Sequence, residues 1–248
     1  MAYTTINKST DYFNTKLYTG NGSNNHTITG VGFDTDLAWI KNRGGDDHRL
    51  FDKVRGVNKF VKSNTTDAET TDAIFTTNSD GYVVTNAGEV NANNQNFVGW
   101  NWKANGAGSA NTDGSISSTV SVNTTAGFSI VSFNQASSPQ TIGHGLNSVP
   151  KIIFIKDRDS VANWQVYSES IGASNKLLLD STNASASSGV FNSTAPTSSV
   201  FTFNSNFGST IAYCFAEKTG YSKFGSYLGN GNADGTFVYT GFKPAFVL

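Results

Sequence analysis

The feature that most constrains this chain is an internal repeat. Residues 18–43, 131–158 and 227–248 follow one plan: an aromatic strand, a polar turn, a β-branched strand, a glycine with a hydrophobic residue, and an apolar strand. In the first two copies the last strand ends as Ile40-Lys41-Asn42-Arg43 and Ile155-Lys156-Asp157-Arg158, and three further blocks match downstream in the same order. Such a repeat predicts two copies of one β-module and the opening of a third.

Short alternating segments indicate that the modules are built of β-strands. Val98, Trp100 and Trp102 alternate with small or polar residues, as in a strand with one buried face. The run 151–155 is mostly apolar, which favours a strand buried on both faces. Charged residues make up only 14% of the chain, and turn-forming Asn, Ser, Thr and Gly replace them. The predicted fold is all-β, with two tandem β-sandwich modules of the jelly-roll type.

The repeat also sets the expected domain boundaries. The first module covers residues 1–104 and the second covers 128–219. Residues 105–127 begin as a Gly- and Asn-rich stretch, which predicts a flexible linker that ends in an edge strand. Residues 220–248 are expected to form strands of the partial third copy, too few to bury a core alone. They either open a third module or complete another sheet, in this chain or in a neighbouring subunit.

Charge and hydropathy narrow the classes of partner. The 248 residues carry a formal net charge of −1, and no basic stripe is present to neutralise nucleic-acid phosphates. The cation cluster of Lys53, Arg55, Lys59 and Lys62 is flanked by acids and is interpreted as a solvated face. No apolar run has the length of a membrane span, and the N-terminus lacks a signal-peptide pattern. We therefore expect synthesis in the cytosol, no nucleic-acid binding and no membrane insertion.

Two loops, 44–49 and 157–164, follow the matched strands and form the candidate contact surface. The candidate binding residues are Asp46, His48 and Arg49 in the first loop and Asp159, Asn163 and Trp164 in the second. An acid beside His48 is compatible with a metal site or a general base, but the second module has no histidine there, which favours a structural role. Trp164 either stacks on a sugar or points into the core, and the core is favoured because tryptophan is mostly buried in proteins.

The remaining reactive side chains are predicted to be structural. Cys214 lies in an apolar strand pattern and is interpreted as a buried thiol. His144 lies between two glycines, which indicates a tight turn. The nucleophile motif Gly-x-Ser-x-Gly is absent from the sequence, and the acids that a glycosidase needs in a pair are not matched between the modules. The sequence thus predicts no cofactor, no metal and no catalytic activity.

Several blocks of the sequence resemble proteins encoded by marine tailed phages. They span nearly the whole chain and comprise residues 2–9, 13–22, 38–41, 48–56, 79–82, 100–104, 212–217 and 220–227. The family that they resemble consists of virion structural or tail-fibre-like proteins. The resemblance implies a virion protein made in the host cytoplasm, with other virion proteins as partners and a homotrimer as the expected oligomer.

Within that resemblance three functions stay open. The first is a tail-fibre or other host-contacting appendage protein, which adheres to a host-surface glycan or protein without catalysis and gains strength by multivalency. The second is a head-side decoration protein that binds no receptor. The third is a glycan-degrading depolymerase, against which the unmatched acids count.

Overall fold

The computed structural model describes residues 3–136 and 139–248, so residues 1, 2, 137 and 138 of the predicted modules lie outside the described part. The first half contains a 3-10 helix (Ser9–Asp11), one short helix α1 (Gly88–Asn91) and nine strands: β1 (Phe13–Thr19), β2 (His26–Ile28), β3 (Leu37–Asn42), β4 (Arg49–Asp52), β5 (Lys59–Val61), β6 (Thr70–Thr71), β7 (Phe75–Asn78), β8 (Gly81–Val84) and β9 (Asn96–Trp102). The second half contains ten: β10 (Ser109–Asn111), β11 (Ser118–Asn123), β12 (Phe128–Asn134), β13 (Gln140–Gly143), β14 (Ile152–Asp157), β15 (Gln165–Ser168), β16 (Asn175–Leu178), β17 (Ala186–Ser187), β18 (Val200–Phe203) and β19 (Ser209–Phe215).

The two halves share one sheet order. In the first module the large sheet is β1-β9-β3-β4-β5-β6 and a small sheet is β2-β8-β7. In the second module the large sheet is β10-β11-β12-β19-β14-β15-β16-β17 and the small sheet is β13-β18. The paired strands are antiparallel throughout both large sheets. The prediction of an all-β sandwich fold is confirmed. The second module has two added strands in its large sheet, β10 and β11, and its small sheet has two strands where that of the first has three.

Three apolar cores separate four layers of sheet. One core lies between the large and small sheets of the first module, and another lies at the same place in the second module. The third core joins the two large sheets face to face, with Leu37, Trp39 and Trp102 packed against Ile130 and other residues of the second module. The central strands of the large sheets, such as β3, β14 and β19, are therefore buried on both faces, which accounts for the apolar run at 151–155. Each large apolar side chain buried in these cores contributes about 1.5–3 kcal/mol.

A buried charge network crosses the interface between the two large sheets. Arg55 has no exposed side-chain surface, and its Nε donates to Asp52 at 2.5 Å. The Tyr213 hydroxyl, from the other module, donates to the same carboxylate at 2.8 Å. Glu69 accepts from Arg55 at 3.1 Å and from two nitrogens of Arg158 at 2.8 and 2.9 Å. The interpretation of the 53–62 cations as a solvated face is thus wrong for Arg55, because the unlike charges meet in the interior.

The segment 105–127 is ordered by hydrogen bonds to both modules. The Asp36 carboxylate accepts from the backbone nitrogens of Ala104 and Gly106, at 2.6 and 3.2 Å. The backbone nitrogen of Asn105 donates to Ser121 Oγ at 2.8 Å. Two strands, β10 and β11, lie in this segment, and β11 pairs with β12 along its whole length. A strand does form where one was expected, as β11, although β10 and not β11 is the edge strand. The part expected as a flexible linker instead contains β10 and belongs to the second large sheet.

The two residues predicted as structural from their surroundings are buried. Cys214 is fully buried, and its desolvation raises the pKa of the thiol. The ring of His144 accepts from the backbone nitrogen of Leu146 at 3.2 Å and lies 3.2 Å from the Thr197 carbonyl oxygen. Both predictions are confirmed. In the described part of the chain, no helix is long and apolar enough to cross a membrane.

The C-terminal segment, residues 220–248, contains no strand, although the repeat predicts strands there and the structure describes all of it. Phe246 packs on the body of the protein, with ring centroids 5.6 Å from Phe13 and 5.5 Å from Trp100. Seven of its large apolar side chains are exposed: Tyr227, Leu228, Phe237, Val238, Tyr239, Val247 and Leu248. The partial third copy is therefore present in the sequence, but its segment forms no strand in the structure.

Candidate functional site

A polar cleft lies where β3 ends and β9 begins. These strands are antiparallel neighbours, so the residue after β3 lies beside the first residue of β9. The backbone nitrogen of Arg43 donates to the Asn96 carbonyl at 2.8 Å and fixes this junction. Arg43, Gly44, Asn94, Gln95 and Asn96 line an open cleft of about 260 Å³. The sheet thus places one cation and three carboxamides around a single depression.

Two backbone features shape the cleft. A methyl group added at Gly44 would lie 2.6 Å from Oε1 of Gln95, so a larger residue there would require the Gln95 amide to move. Asn94 has φ 60°, the left-handed region that Asn adopts more readily than most residues. The turn before β9 can therefore present three successive amide side chains. These contacts explain why a glycine and an asparagine occupy the two sides of the cleft.

The Arg43 side chain has no hydrogen bond or ion pair among the described residues. Its guanidinium offers five N–H donors in a planar fork that matches carboxylate or phosphate oxygens. The neighbouring carboxamides of Asn94 and Gln95 each supply two donors and an acceptor, which match hydroxyl groups. The cleft is chemically suited to an anionic group attached to a hydroxyl-rich ligand.

The second module closes the equivalent position. By strand register Arg158 corresponds to Arg43, and its backbone nitrogen donates to Ser209 at 2.9 Å in the same way. The Arg158 guanidinium is bound by Glu69 on the first module. Asp159 replaces Gly44, and its carboxylate accepts from the Ser209 backbone nitrogen at 2.7 Å. At the equivalent position of the second module, Asp159 therefore occupies the space and Glu69 of the first module binds the arginine.

The β3–β4 loop beside the cleft is held by internal hydrogen bonds. Asn42 donates to the Asp46 carboxylate at 2.9 Å, and Lys41 Nζ donates to the Asp46 carbonyl at 2.6 Å and to the Gly45 carbonyl. Asp47 accepts from Asn64 at 2.9 Å, and this hydrogen bond is the main reason that its pKa lies below the usual range. Asp46 and Asp47 are therefore satisfied within the loop and its neighbours.

His48 serves as a hydrogen-bond acceptor for a core tryptophan. Trp39 Nε1 donates to His48 Nδ1 at 2.8 Å. Desolvation and the nearby Lys41 lower the pKa of His48 to about 4, so the ring is neutral at pH 7. No cluster of metal-binding side chains occurs among the described residues. The structural interpretation of His48 is the one that the geometry supports.

Arg49 is buried and does not belong to an exposed contact surface. Its guanidinium lies 5.1 Å from the centre of the Phe60 ring, and its side chain is only 6% exposed. Asp47 and Glu89 approach it at 4.0 Å. The prediction of Arg49 as a ligand-contacting residue is wrong, because strand β4 places its side chain in the interior, against the Phe60 ring.

The second predicted loop packs against the first module. Trp164 is fully buried, stacks on Tyr213 with ring centroids 6.2 Å apart, and donates from Nε1 to the Lys62 carbonyl at 2.7 Å. Asn163 donates to Asp180 at 3.1 Å. Trp164 as a sugar platform is wrong, and the alternative of a core residue is confirmed. Of the six candidates, Asp46 and His48 alone lie in the loop that borders the open cleft.

Sequence reasoning missed Arg43 and the 94–96 turn. The Ile-Lys-x-Arg match between the modules was visible, but it marks Arg43 as part of the shared framework. The sequence feature that distinguishes the two arginines is the next residue, because Gly44 is aligned with Asp159. A glycine in place of an acid both opens space and removes a carboxylate from beside the arginine.

A family model described as a domain of unknown function (DUF7483) matches residues 8–248. The chain belongs to this family. The match covers both modules and the C-terminal segment. No curated protein and no solved structure matches the chain.

Proposed function

We propose that this chain is a structural, non-catalytic protein of a tailed-phage particle, within a tail fibre or another appendage that contacts the host. We further propose that it contacts an acidic glycan of the host surface through the Arg43 cleft. The observation that carries this is the contrast between two equivalent arginines. Arg158 is neutralised by Glu69, whereas the described residues give Arg43 no partner.

The chemistry of the cleft favours an acidic sugar as the ligand. A guanidinium binds a sugar carboxylate with two parallel hydrogen bonds, and the Asn94 and Gln95 amides match ring hydroxyls. Of the acids in the adjacent loop, Asp47 pairs with Lys62 Nζ at 3.2 Å, which offsets its repulsion of an anion, and the Asp46 carboxylate accepts from Asn42. An open cleft of this size binds weakly, so adhesion depends on several copies acting together.

The phage assignment is supported by the resemblance of eight sequence blocks to marine tailed-phage proteins. The architecture is consistent with it, since the two modules pack against each other through a shared apolar core. Immunogold labelling of assembled particles with an antibody to this chain tests the location. Label on the tail or its fibres is expected, and label confined to the head would favour the decoration protein.

Glycan binding is tested with an array of neutral and acidic saccharides probed with the whole chain. We expect Arg43→Ala to lose the signal on acidic glycans. Lys103→Ala is the matched control, because it removes one positive charge, as Arg43→Ala does. Lys103 is exposed, and its side chain has no partner among the described residues. An array that is blank for the unmodified chain, or a signal equal in both variants, would refute the Arg43 cleft as the contact site. Release of reducing sugar from host polysaccharide would instead support the depolymerase.

A head-side decoration protein is the second candidate. The observation that favours it is the exposed apolar C-terminal segment, since such patches mark protein–protein contacts. A decoration protein needs that segment and does not need the Arg43 cleft. Arg43→Ala would then leave both particle assembly and host adsorption unchanged.

A further inference from the structure

Residues 236–240 of the C-terminal segment have a backbone without partners. No backbone-to-backbone hydrogen bond joins any of residues 223–248, all of which the structure describes. An extended chain that offers free N–H and C=O groups is a template for strand addition. By the repeat, residues 237–239 correspond to β2 and to positions 141–143 of β13, and each of those strands is paired antiparallel with a partner. In the third copy, the corresponding residues 237–239 are not paired with any strand.

The side chains of this segment are apolar and face solvent. Phe237 is 85% exposed, Tyr239 76% and Val238 48%. Together with residues up to Pro244 they line an open, mainly apolar depression of about 420 Å³. Large apolar side chains grouped in this way indicate a surface that a partner covers.

The order of the side chains fits a second copy of this chain as the partner. Residues 236–240 read Thr-Phe-Val-Tyr-Thr, which has nearly the same character in both directions. When two such segments pair antiparallel about Val238, Phe237 of one copy lies opposite Tyr239 of the other, and Thr236 lies opposite Thr240. All four aromatic rings then share one face of the new two-stranded ribbon. A twofold contact requires this kind of self-complementary patch.

We propose that residues 236–240 pair antiparallel with the same residues of a second copy of this chain, forming a twofold dimer. The new strands satisfy the free backbone groups and bury the aromatic face. Five-residue strands bury little area, so the contact belongs to the weak and transient class of interface. The dimer also doubles the number of clefts in one particle component, although its existence does not depend on glycan binding.

Charge-swapped variants test the register directly. One variant carries Phe237→Lys and Tyr239→Lys, and the other carries Phe237→Glu and Tyr239→Glu. Each variant alone places like charges opposite each other, so we expect its dimer association constant to fall by about tenfold or more. An equimolar mixture places lysine opposite glutamate and is expected to recover dimers. Both side chains are exposed and contact no core, so thermal unfolding of the monomer should not change.

Sedimentation velocity over a concentration series provides the measurement, with the whole chain in each case. Val161→Lys is the control, because Val161 is 72% exposed in a loop of the second module. The unmodified chain and the control should show the same reversible monomer–dimer equilibrium. A chain that stays monomeric up to about 1 mM, a mass that grows without limit, or a mixture that fails to recover dimers would each overturn the proposal.

Discussion

The two modules share a strand order and differ in how they use the same position after the same strand. In the second module Arg158 binds Glu69 across the interface, and Asp159 fills the space beside it. In the first module Arg43 lines an open cleft, because Gly44 adds no carboxylate beside it and leaves room for the Gln95 amide. In the second module the arginine therefore helps to hold the two modules together. The other copy is free to present its arginine to a ligand.

The edges of the two large sheets also differ. Strand β12 is covered by β11 and β10, which come from the segment between the modules. Its counterpart β1 is an edge strand, with Leu17 60% exposed and Lys16 beside it. Lysine on an edge strand discourages pairing with other chains. The pairing surface of the molecule is therefore expected at the C-terminal segment and not at β1.

The largest effect on stability is expected from Asp52→Ala, which breaks the buried charge network between the two modules. The change leaves the Arg55 guanidinium buried, with Glu69 as its remaining carboxylate partner, and removes the acceptor of Tyr213. Breaking a buried ion pair from one side costs about 3–5 kcal/mol. We expect a loss of that order in the free energy of unfolding, measured by urea denaturation and followed by tryptophan fluorescence.

The control for that prediction removes the charges together. A triple variant, Asp52→Leu, Arg55→Met and Tyr213→Phe, should be more stable than Asp52→Ala, because no charge is left uncompensated at Arg55. Equal losses in the two variants would contradict the network as the cause. They would point to packing of the residue 52 side chain.

A smaller effect should distinguish the two equivalent arginines. Arg158→Ala removes two charge-assisted hydrogen bonds to Glu69, each at or below 2.9 Å. We expect it to lower the free energy of unfolding by about 1.5–3 kcal/mol. Arg43→Ala removes an exposed side chain without partners and should change that free energy by no more than about 0.5 kcal/mol. Parallel urea titrations make the comparison, and equal losses would show that Arg43 has a structural role as well.

The fold was predictable because it depends on patterns that are local in sequence. Alternation at Val98, Trp100 and Trp102 and the apolar run at 151–155 identify strands directly. The face-to-face packing of the modules was not predictable, since it depends on which side of each strand meets a distant sheet. The Gly- and Asn-rich stretch after Lys103 shows the difference: its composition indicates flexibility, but the Asp36 carboxylate holds it.

The candidate site was predictable only in part. The loop 44–49, predicted as a contact surface, borders the cleft through Gly44, because a loop after a matched strand lies at a sheet end. The partners of its charges were not predictable, because Asn64 and Lys62 reach Asp47 from another loop. Likewise no local pattern near Trp164 shows that the Lys62 carbonyl accepts its N–H. Long-range hydrogen bonds decide which polar residues remain free for a ligand.

The smallest effect concerns the response of the two modules to acid. Trp39 in the first module donates to His48, whereas Trp164 in the second donates to a backbone carbonyl that does not titrate. Burial and Lys41 lower the pKa of His48 to about 4 from 6.5, so the unfolded chain takes up the proton first as the pH falls. The stability that His48 contributes is full above about pH 6.5 and is lost as the pH falls toward 4. Titration of the histidine ring signals by NMR should give a pKa well below 6.5 for His48, and His48→Gln should flatten the pH dependence of unfolding in this window. A normal pKa for His48 would show that its ring is hydrated and that the bond from Trp39 does not hold it neutral.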